Sequence, residues 1–298
     1  MYNIICFGEM LWDVLPQKEL PGGAPMNVAY HLQKLGMAPA VISRVGKDAR
    51  GEKLLALLKT NGLTTAYIQE DATHETGVVL AMLNERAEAT YDIVSPVAWD
   101  FIEYHEDLKK LVAAADFFVF GSLASRTENT RNTLFQLLEQ ANTKVLDINL
   151  RAPHFSKAGV EALLQQCHIL KINDQELPLI AGWYGNLKKM EDQMALLQKR
   201  FNINTIVTTR GGEGAILKIG DELYQHPGFK VRVSDTVGSG DAFLAALLCK
   251  LSQHETPADA LEFANGLGAF IASREGACPD YALANVETEI HAGFATSM

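Results

Sequence analysis

Cysteine is scarce in this chain: Cys6, Cys167, Cys249 and Cys278 are the only four among 298 residues, and no two form a Cys-x-x-Cys pair. All but Cys278 lie inside apolar segments, a pattern of reduced core thiols that argues against a disulfide framework or a zinc-binding spacing. Long apolar runs are missing as well. No stretch approaches the ~18 apolar residues of a membrane span. The start, Met1-Tyr2-Asn3-Ile4-Ile5-Cys6-Phe7-Gly8, has neither the basic flank nor the apolar core of a secretion signal. A cytoplasmic protein with no membrane partner is expected. Positive charge is in deficit, with 26 Lys and Arg against 36 Asp and Glu and a net charge of −10. That balance speaks against a nucleic-acid partner. An acidic protein that handles phosphates must concentrate positive potential locally, at helix ends or around a metal. The Walker A string, the protein-kinase His-Arg-Asp set and His-Glu-x-x-His are all absent, as are internal repeats and low-complexity tracts.

What remains is an ordinary globular composition, 48% hydrophobic and 21% charged, which excludes wholesale disorder. The length suits one large α/β domain or two modest ones. With no linker-like stretch to divide it, a single domain over 1–298 is expected.

The stretch that organises the chain is Val233-Ser234-Asp235-Thr236-Val237-Gly238-Ser239-Gly240-Asp241-Ala242-Phe243, followed by the apolar run Leu244 to Leu251. Phe243, Leu247, Leu248 and Leu251 recur at helical spacing. Two glycines around one small residue let a backbone approach a ligand closely. The helix that follows presents N–H groups without intrahelical partners at the positive end of its dipole, which makes a ready anion site. Asp241 sits inside that turn, where it would repel a phosphate unless it has a chemical task. Taking a proton from an alcohol that attacks phosphorus is such a task. The competing reading is that Asp241 merely caps the helix and the glycines form a loop.

A second pattern lies near the other end. Pro21-Gly22-Gly23-Ala24-Pro25-Met26-Asn27 leads into the amphipathic helix Val28 to Leu35, closed by Gly36. Asn27 then falls at the helix start, where an N-cap is the plain explanation. Taken together, Gly-Gly-x-x-x-Asn-x-Ala and Asp-Thr-x-Gly-x-Gly-Asp-x-Phe, about 210 residues apart and in this order, closely resemble the two signatures of the ribokinase-like (PfkB) carbohydrate kinases. The Gly-Gly-Ala-Pro-x-Asn-Val-Ala wording resembles the fructokinase branch. The resemblance runs along essentially the whole chain.

Its implications are specific. The fold should be α/β and ribokinase-like, with a mostly parallel central sheet flanked by helices on both faces and a small β-sheet lid. Strand–helix alternation through Ala40–Val45, Phe117–Gly121, Lys144–Asn149 and Ile169–Ile172 argues independently for such a sheet. Residues 77–83 and 88–94 flank the polar turn Asn84-Glu85-Arg86 as a hairpin, and the resemblance makes them lid strands, with one more strand from 11–20. Asp13, an acid among aliphatics in Glu9–Leu15, reads alone as a turn or edge residue. The resemblance makes it a sugar ligand with Gly23 and Asn27.

Ligands of parallel sheets gather beyond the carboxyl ends of the strands, where Asp147, Asn149 and Arg151 fall. Arg151 suits a phosphate or a polar sugar, or else a surface ion pair. Asn173 and Glu176 fit Asn-x-x-Glu, which reads either as a helix cap with a capping-box acid or, by resemblance, as part of the metal–phosphate water network. Thr209, Gly211 and Gly214 resemble the family's nucleotide loop, with Arg210 where an aliphatic residue is usual. Asn265 lies on the small-residue helix Ala258–Ala272, which suits close approach of adenine or tight helix packing. Asp235, Val237 and Gly276 resemble a monovalent-cation loop.

The implied reaction is ATP-dependent phosphorylation of a free hexose, D-fructose at its 6-hydroxyl, with Asp241 as base and the N–H groups of Gly238, Ser239 and Gly240 stabilising the transferring phosphoryl. ATP and Mg²⁺ are the implied cofactors, with K⁺ as an activator. A 2-keto-3-deoxygluconate or ribose kinase is the alternative within the class, and a catalytically dead sugar-binding regulator the alternative outside it. The apolar lid strands (Val79 and Ile93 among them) suggest a lid-to-lid homodimer, since a sheet so small leaves one face uncovered.

Overall fold

The computed structural model of the chain describes residues 2–83 and 89–294, in two compact units. The first comprises Met1–Gln33 and Ala38–Asn142. Its elements run β1 (Ile4–Phe7), β2 (Leu11–Val14), β3 (Glu19–Gly22), α1 (Ala24–Lys34), β4 (Pro39–Gly46), α2 (Ala49–Thr60), β5 (Ile68–Asp71), β6 (Gly77–Leu83), β7 (Ala89–Ile93), α3 (Glu106–Ala113), β8 (Phe117–Gly121) and α4 (Glu128–Leu138). Strands β8, β1, β4 and β5 lie side by side in that order, all parallel. Ile4, Ile5, Cys6 and Phe7 are each fully buried, as a continuous apolar strand inside a parallel sheet must be.

Sheet β3-β2-β6-β7 stands apart from these strands. The 11–20 segment was expected to add one strand to it and instead adds two, because Leu15 and Lys18 close a tight turn that returns the chain as β3. Strand β2 pairs with β3 antiparallel and with β6 parallel, which sets Leu20, Asp13, Val79 and Ile93 in one cross-strand row. Asp13 is therefore an interior member of a sheet face, not an edge residue. The expected turn at Asn84-Glu85-Arg86 lies outside the described residues.

Val79 and Ile93 are each only 9% exposed in a single chain, while Tyr91, two residues along β7 on the same face, is 66% exposed. The other face carries Trp12, Val14, Val78 and Leu80, all half-buried.

A buried ion pair bolts the end of β7 to the body of this unit. Arg126 donates twice to Asp100, at 2.7 Å each, and to the carbonyls of Ile93 and Val94 at 3.2 and 2.7 Å. Its guanidinium stacks over the Trp99 ring at 3.8 Å. Asp100 is fully buried and the Arg126 side chain 4% exposed.

The second unit, Lys34–Met37 with Thr143–Met298, contains β9 (Thr143–Asp147), α5 (Lys157–Leu164), β10 (Ile169–Asn173), α6 (Glu176–Ala181), α7 (Met190–Phe201), β11 (Thr205–Thr209), β12 (Ala215–Ile219), β13 (Glu222–His226), α8 (Ser239–Ser252), α9 (Pro257–Ala272) and α10 (Leu283–His291). Strands β9, β10 and β11 are parallel, and β12 and β13 extend them antiparallel. Helix α8 is apolar on every side: Ala242 through Cys249 are at most 4% exposed, as in a core helix. Helix α9 packs on it through Gly268, where an added Cβ would lie 3.3 Å from the Ser239 carbonyl oxygen. Tight helix packing thus requires a small residue at that position of α9.

Removing one partner of a buried pair strands the other charge. Asp100→Ala is expected to destabilise the protein by about 3–5 kcal/mol, read as a lower denaturation midpoint at unchanged slope. A loss below about 1 kcal/mol would mean that Arg126 behaves as an exposed cation.

Candidate active site

The turn before α8 is built around Gly238, whose φ of +78° lies in the left-handed region. A Cβ there would meet the Ala277 backbone at 2.5 Å, so conformation and crowding both require glycine. The first helical bond runs from Ala242 N–H to the Gly238 carbonyl. Ser239, Gly240 and Asp241 therefore form the first turn of α8, where N–H groups emerge at the positive end of the dipole. Gly238 occupies the N-cap position, so Asp241 is an acid inside the first turn and not the cap.

Asp235 holds this turn to the segment after α9. One carboxylate oxygen accepts from Val237 N–H at 3.0 Å and the other from Gly276 N–H at 3.2 Å. Asp235 thus brings Val237 and Gly276 together, as a two-loop cation site would need. Among the described residues, no cluster of three or more His, Cys, Asp or Glu side chains could hold a metal directly.

At the carboxyl ends of the parallel strands, register places Asp147 beside Lys171 and Asn173 beside Thr209. Asn173 and Glu176 form a reciprocal capping box. Asn173 Oδ1 accepts from the N–H groups of Gln175 and Glu176, both at 2.9 Å. Glu176 Oε2 accepts from Asn173 N–H at 3.0 Å, and Oε1 from Leu150 N–H at 2.7 Å. Burial pushes the Glu176 carboxyl above the ordinary range, against the lowering effect of those two N–H groups. Each carboxylate oxygen keeps lone-pair capacity. Such a donor set fits the water shell of a hard cation such as Mg²⁺, which sheds its waters reluctantly.

Thr209 ends β11, and Gly211 and Gly214 bracket a single tight turn into β12. Arg210 leaves the turn intact, since its N–H donates to the Gly214 carbonyl at 2.7 Å. Asn265 is buried in α9 and donates to its own helix at the Leu261 carbonyl, 2.7 Å away. Arg151 is exposed, with its guanidinium on the neighbouring Leu150 carbonyl.

In the first unit, Asp13, Gly23 and Asn27 follow one another through local connectivity. Strand β2 carries Asp13 and β3 ends at Gly22. Asp13 Oδ2 lies so close to the Gly22 backbone that a Cβ there would sit 2.5 Å from it. Gly23, at φ +112°, packs against Glu9, where a side chain would clash with the carbonyl oxygen at 2.4 Å. The helix then starts at Ala24, four residues before the expected Val28. Asn27 is consequently not the cap: it is 4% exposed in the first turn, and its N–H donates to the Gly23 carbonyl at 3.0 Å. Pro25 suits that first turn, where the missing N–H would lack a helical partner in any case.

Sequence reasoning missed Lys171, a lone cation in the apolar strand Ile169–Ile172. Its Nζ donates to Asp147 Oδ2 at 2.7 Å, with both residues buried. Burial pulls the ammonium down, but Asp147 and then Asp241 outweigh it and hold Lys171 above the ordinary lysine value. The signal available was the charge itself, in a strand otherwise fit only for a core.

Comparison with known proteins agrees with this layout. The family model described as "pfkB family carbohydrate kinase" matches residues 4–282. Fructokinase-1 of Oryza sativa subsp. japonica is 28% identical, with 93% of each chain covered. The structure of a fructokinase with bound ATP from Xylella fastidiosa superposes with a TM-score of 0.87 at 21% identity, covering 97% of this chain and 98% of that one. A fructokinase double mutant from Vibrio cholerae O395, in a form with fructose, ADP and potassium ion bound, gives a TM-score of 0.83 at 25% identity over 97% and 98% of the two chains. The fold is the ribokinase-like α/β fold with its small separate sheet.

Proposed function

The chain belongs to the pfkB family of carbohydrate kinases, and from that premise we propose that it transfers the γ-phosphoryl group of ATP to the 6-hydroxyl of D-fructose. One observation carries the reading: a left-handed glycine opens a helix with an apolar, buried centre whose first turn holds a carboxylate among outward N–H groups. An anion site that contains its own base has a use in phosphoryl transfer to an alcohol, and none in sugar binding alone. Fructose as the acceptor is supported by the fructokinase relatives and by the fructose-bound neighbour.

In this reading Asp241 accepts the proton of the 6-hydroxyl as its oxygen bonds to the γ-phosphorus and the bond to ADP breaks. The N–H groups of Gly238, Ser239 and Gly240 stabilise charge on the transferring phosphoryl oxygens. Asp13, Gly23 and Asn27 hold sugar hydroxyls, and Arg151 a phosphate or sugar oxygen. Thr209, Gly211, Gly214, Asn173 and Asn265 hold the nucleotide. Mg²⁺, when bound, neutralises charge on the β- and γ-phosphates, and Glu176 with Asn173 would hold its water shell. Carbonyl oxygens around Val237 and Gly276 would take K⁺, the ion bound in the Vibrio cholerae relative.

The family match spans residues in both units, which supports reading 1–298 as one kinase domain. A cytoplasmic enzyme agrees with four free cysteines, three of them buried. Among the described residues no helix is long and apolar enough to cross a membrane. The half-buried residues Trp12, Val14, Val78 and Leu80 on one face, and the exposed Tyr91 beside Val79 and Ile93 on the other, support a homodimer through the lid.

An ADP-release screen across free sugars should give fructose the highest kcat/KM. Asp241→Asn should fold, bind ATP and lose turnover by roughly 10²–10⁴-fold, the usual weight of a positioned base. Near-wild-type kcat in that variant would overturn the mechanism.

Asp13→Ala should raise the sugar KM and leave the ATP KM nearly unchanged, with at least about a tenfold fall in kcat/KM for the sugar, the worth of a hydrogen bond to a charged group. Impaired ATP binding instead would mean that the two sets of residues have been exchanged. For the dimer, sedimentation as a monomer at micromolar concentration, with fructose and nucleotide present, would exclude the lid interface.

A further inference from the structure

Lys171 is placed where a purely structural lysine has no reason to be. It is 8% exposed, and its Nζ is pinned at 2.7 Å by Asp147, its register partner on the next strand. A Cβ added to Gly240 would lie 3.3 Å from Nζ and 3.7 Å from Cε, so the ammonium packs against the first turn of α8. A cation at the positive end of a helix is unfavourable, and a buried one doubly so. An ion pair that served only to join β9 and β10 could form without Gly240. The position makes sense if negative charge belongs at that helix end.

We propose that Lys171 is a positioning residue for phosphoryl transfer: its buried ammonium, fixed by Asp147 against Gly240, keeps the Asp241 carboxylate ionised and in place when the phosphates enter the turn. The need follows from the chemistry. A polyanion beside a carboxylate favours the protonated acid, which cannot accept a proton from the sugar. A fixed cation offsets that effect.

Among the described residues, these groups act on or around Asp241. Lys171 comes from β10, and Asp147 from β9 acts through it. Glu176, at the start of α6, interacts with Lys171 as well. Cys278 lies in the segment before α10, and burial first, then the charge of Asp241, push its thiol up, so it stays neutral. Lys171 is the cation of this set.

The inference rests on Asp241 being the base, so wild type and Asp241→Asn are measured beside the Lys171 variants. Turnover of MgATP with fructose, or with the best sugar of the screen, is followed from pH 5 to 9 for Lys171→Met, Lys171→Arg and the double variant Lys171→Met/Asp147→Asn, with Tm for each. In Lys171→Met, kcat should fall about 10–100-fold at pH 7, and the acidic limb of its profile should move up by about one pH unit. The sugar KM should change by less than about threefold. Lys171→Arg should keep the limb in place. The double variant, which does not leave Asp147 as an unpaired buried carboxylate, should recover Tm but neither kcat nor the limb.

An unmoved limb in either neutral variant, or a kcat that returns with Tm in the double variant, overturns the proposal. So does failure of both neutral variants to fold, which would make Lys171 a folding residue. Full turnover in Asp241→Asn would instead overturn the functional reading itself.

Discussion

The second unit depends on the burial of α8. Its residues Ala242 to Cys249 are apolar on all sides and nearly inaccessible, so the helix is stable only as the centre of a core. Such a helix has unavoidable polar groups at its two ends, the N–H groups of the first turn and the carbonyls of the last. The chain brings the first of these ends out through a turn only glycine can make at position 238, and Asp235 ties the turn to Gly276. Hydrophobic burial therefore fixes where that end points. The proposed chemistry is placed on an end of α8 that is not buried.

The same constraint shapes the electrostatics. The chain carries ten more negative than positive charges, yet the proposed reaction must attract a polyanion. No broad basic surface is required if backbone N–H groups, a helix dipole and one buried ammonium act at short range in a low-dielectric setting. Lys171 and Asp147 are held by strand register, which leaves them little freedom to reorganise. The Asn173–Glu176 capping box shows one set of atoms in two uses. It ends the orphan donors of α6 and still leaves carboxylate lone pairs for a hydrated cation.

In the small sheet the decisive constraint is register. Strand β2 joins β3 and β6 so that Asp13 shares a row with Leu20, Val79 and Ile93. A slip of one residue would turn Asp13 to the opposite face and bring Trp12 and Val14 onto this one. The tight return at Leu15 and Lys18 and the Arg126–Asp100 bolt at the end of β7 both oppose such a slip.

Local chemistry in the sequence determined a good deal: the buried parallel strands, read from continuous apolar runs such as Ile4–Phe7, the core helix after Asp241, and the glycine-rich turn before it. These are properties of neighbouring residues, and neighbours are what a sequence displays. The start of α1 was misplaced because Ala24-Pro25 reads as a turn, while a proline in a first helical turn costs nothing. Strand β3 was invisible because Glu-Leu-Pro-Gly has no strand signature and exists only through pairing with β2. The cross-strand row of Leu20, Asp13, Val79 and Ile93, and above all the meeting of Lys171, Asp147 and Gly240, came only from the tertiary structure. Those residues are far apart in the chain, and strand register and helix burial, which depend on all the other contacts at once, bring them within bonding distance.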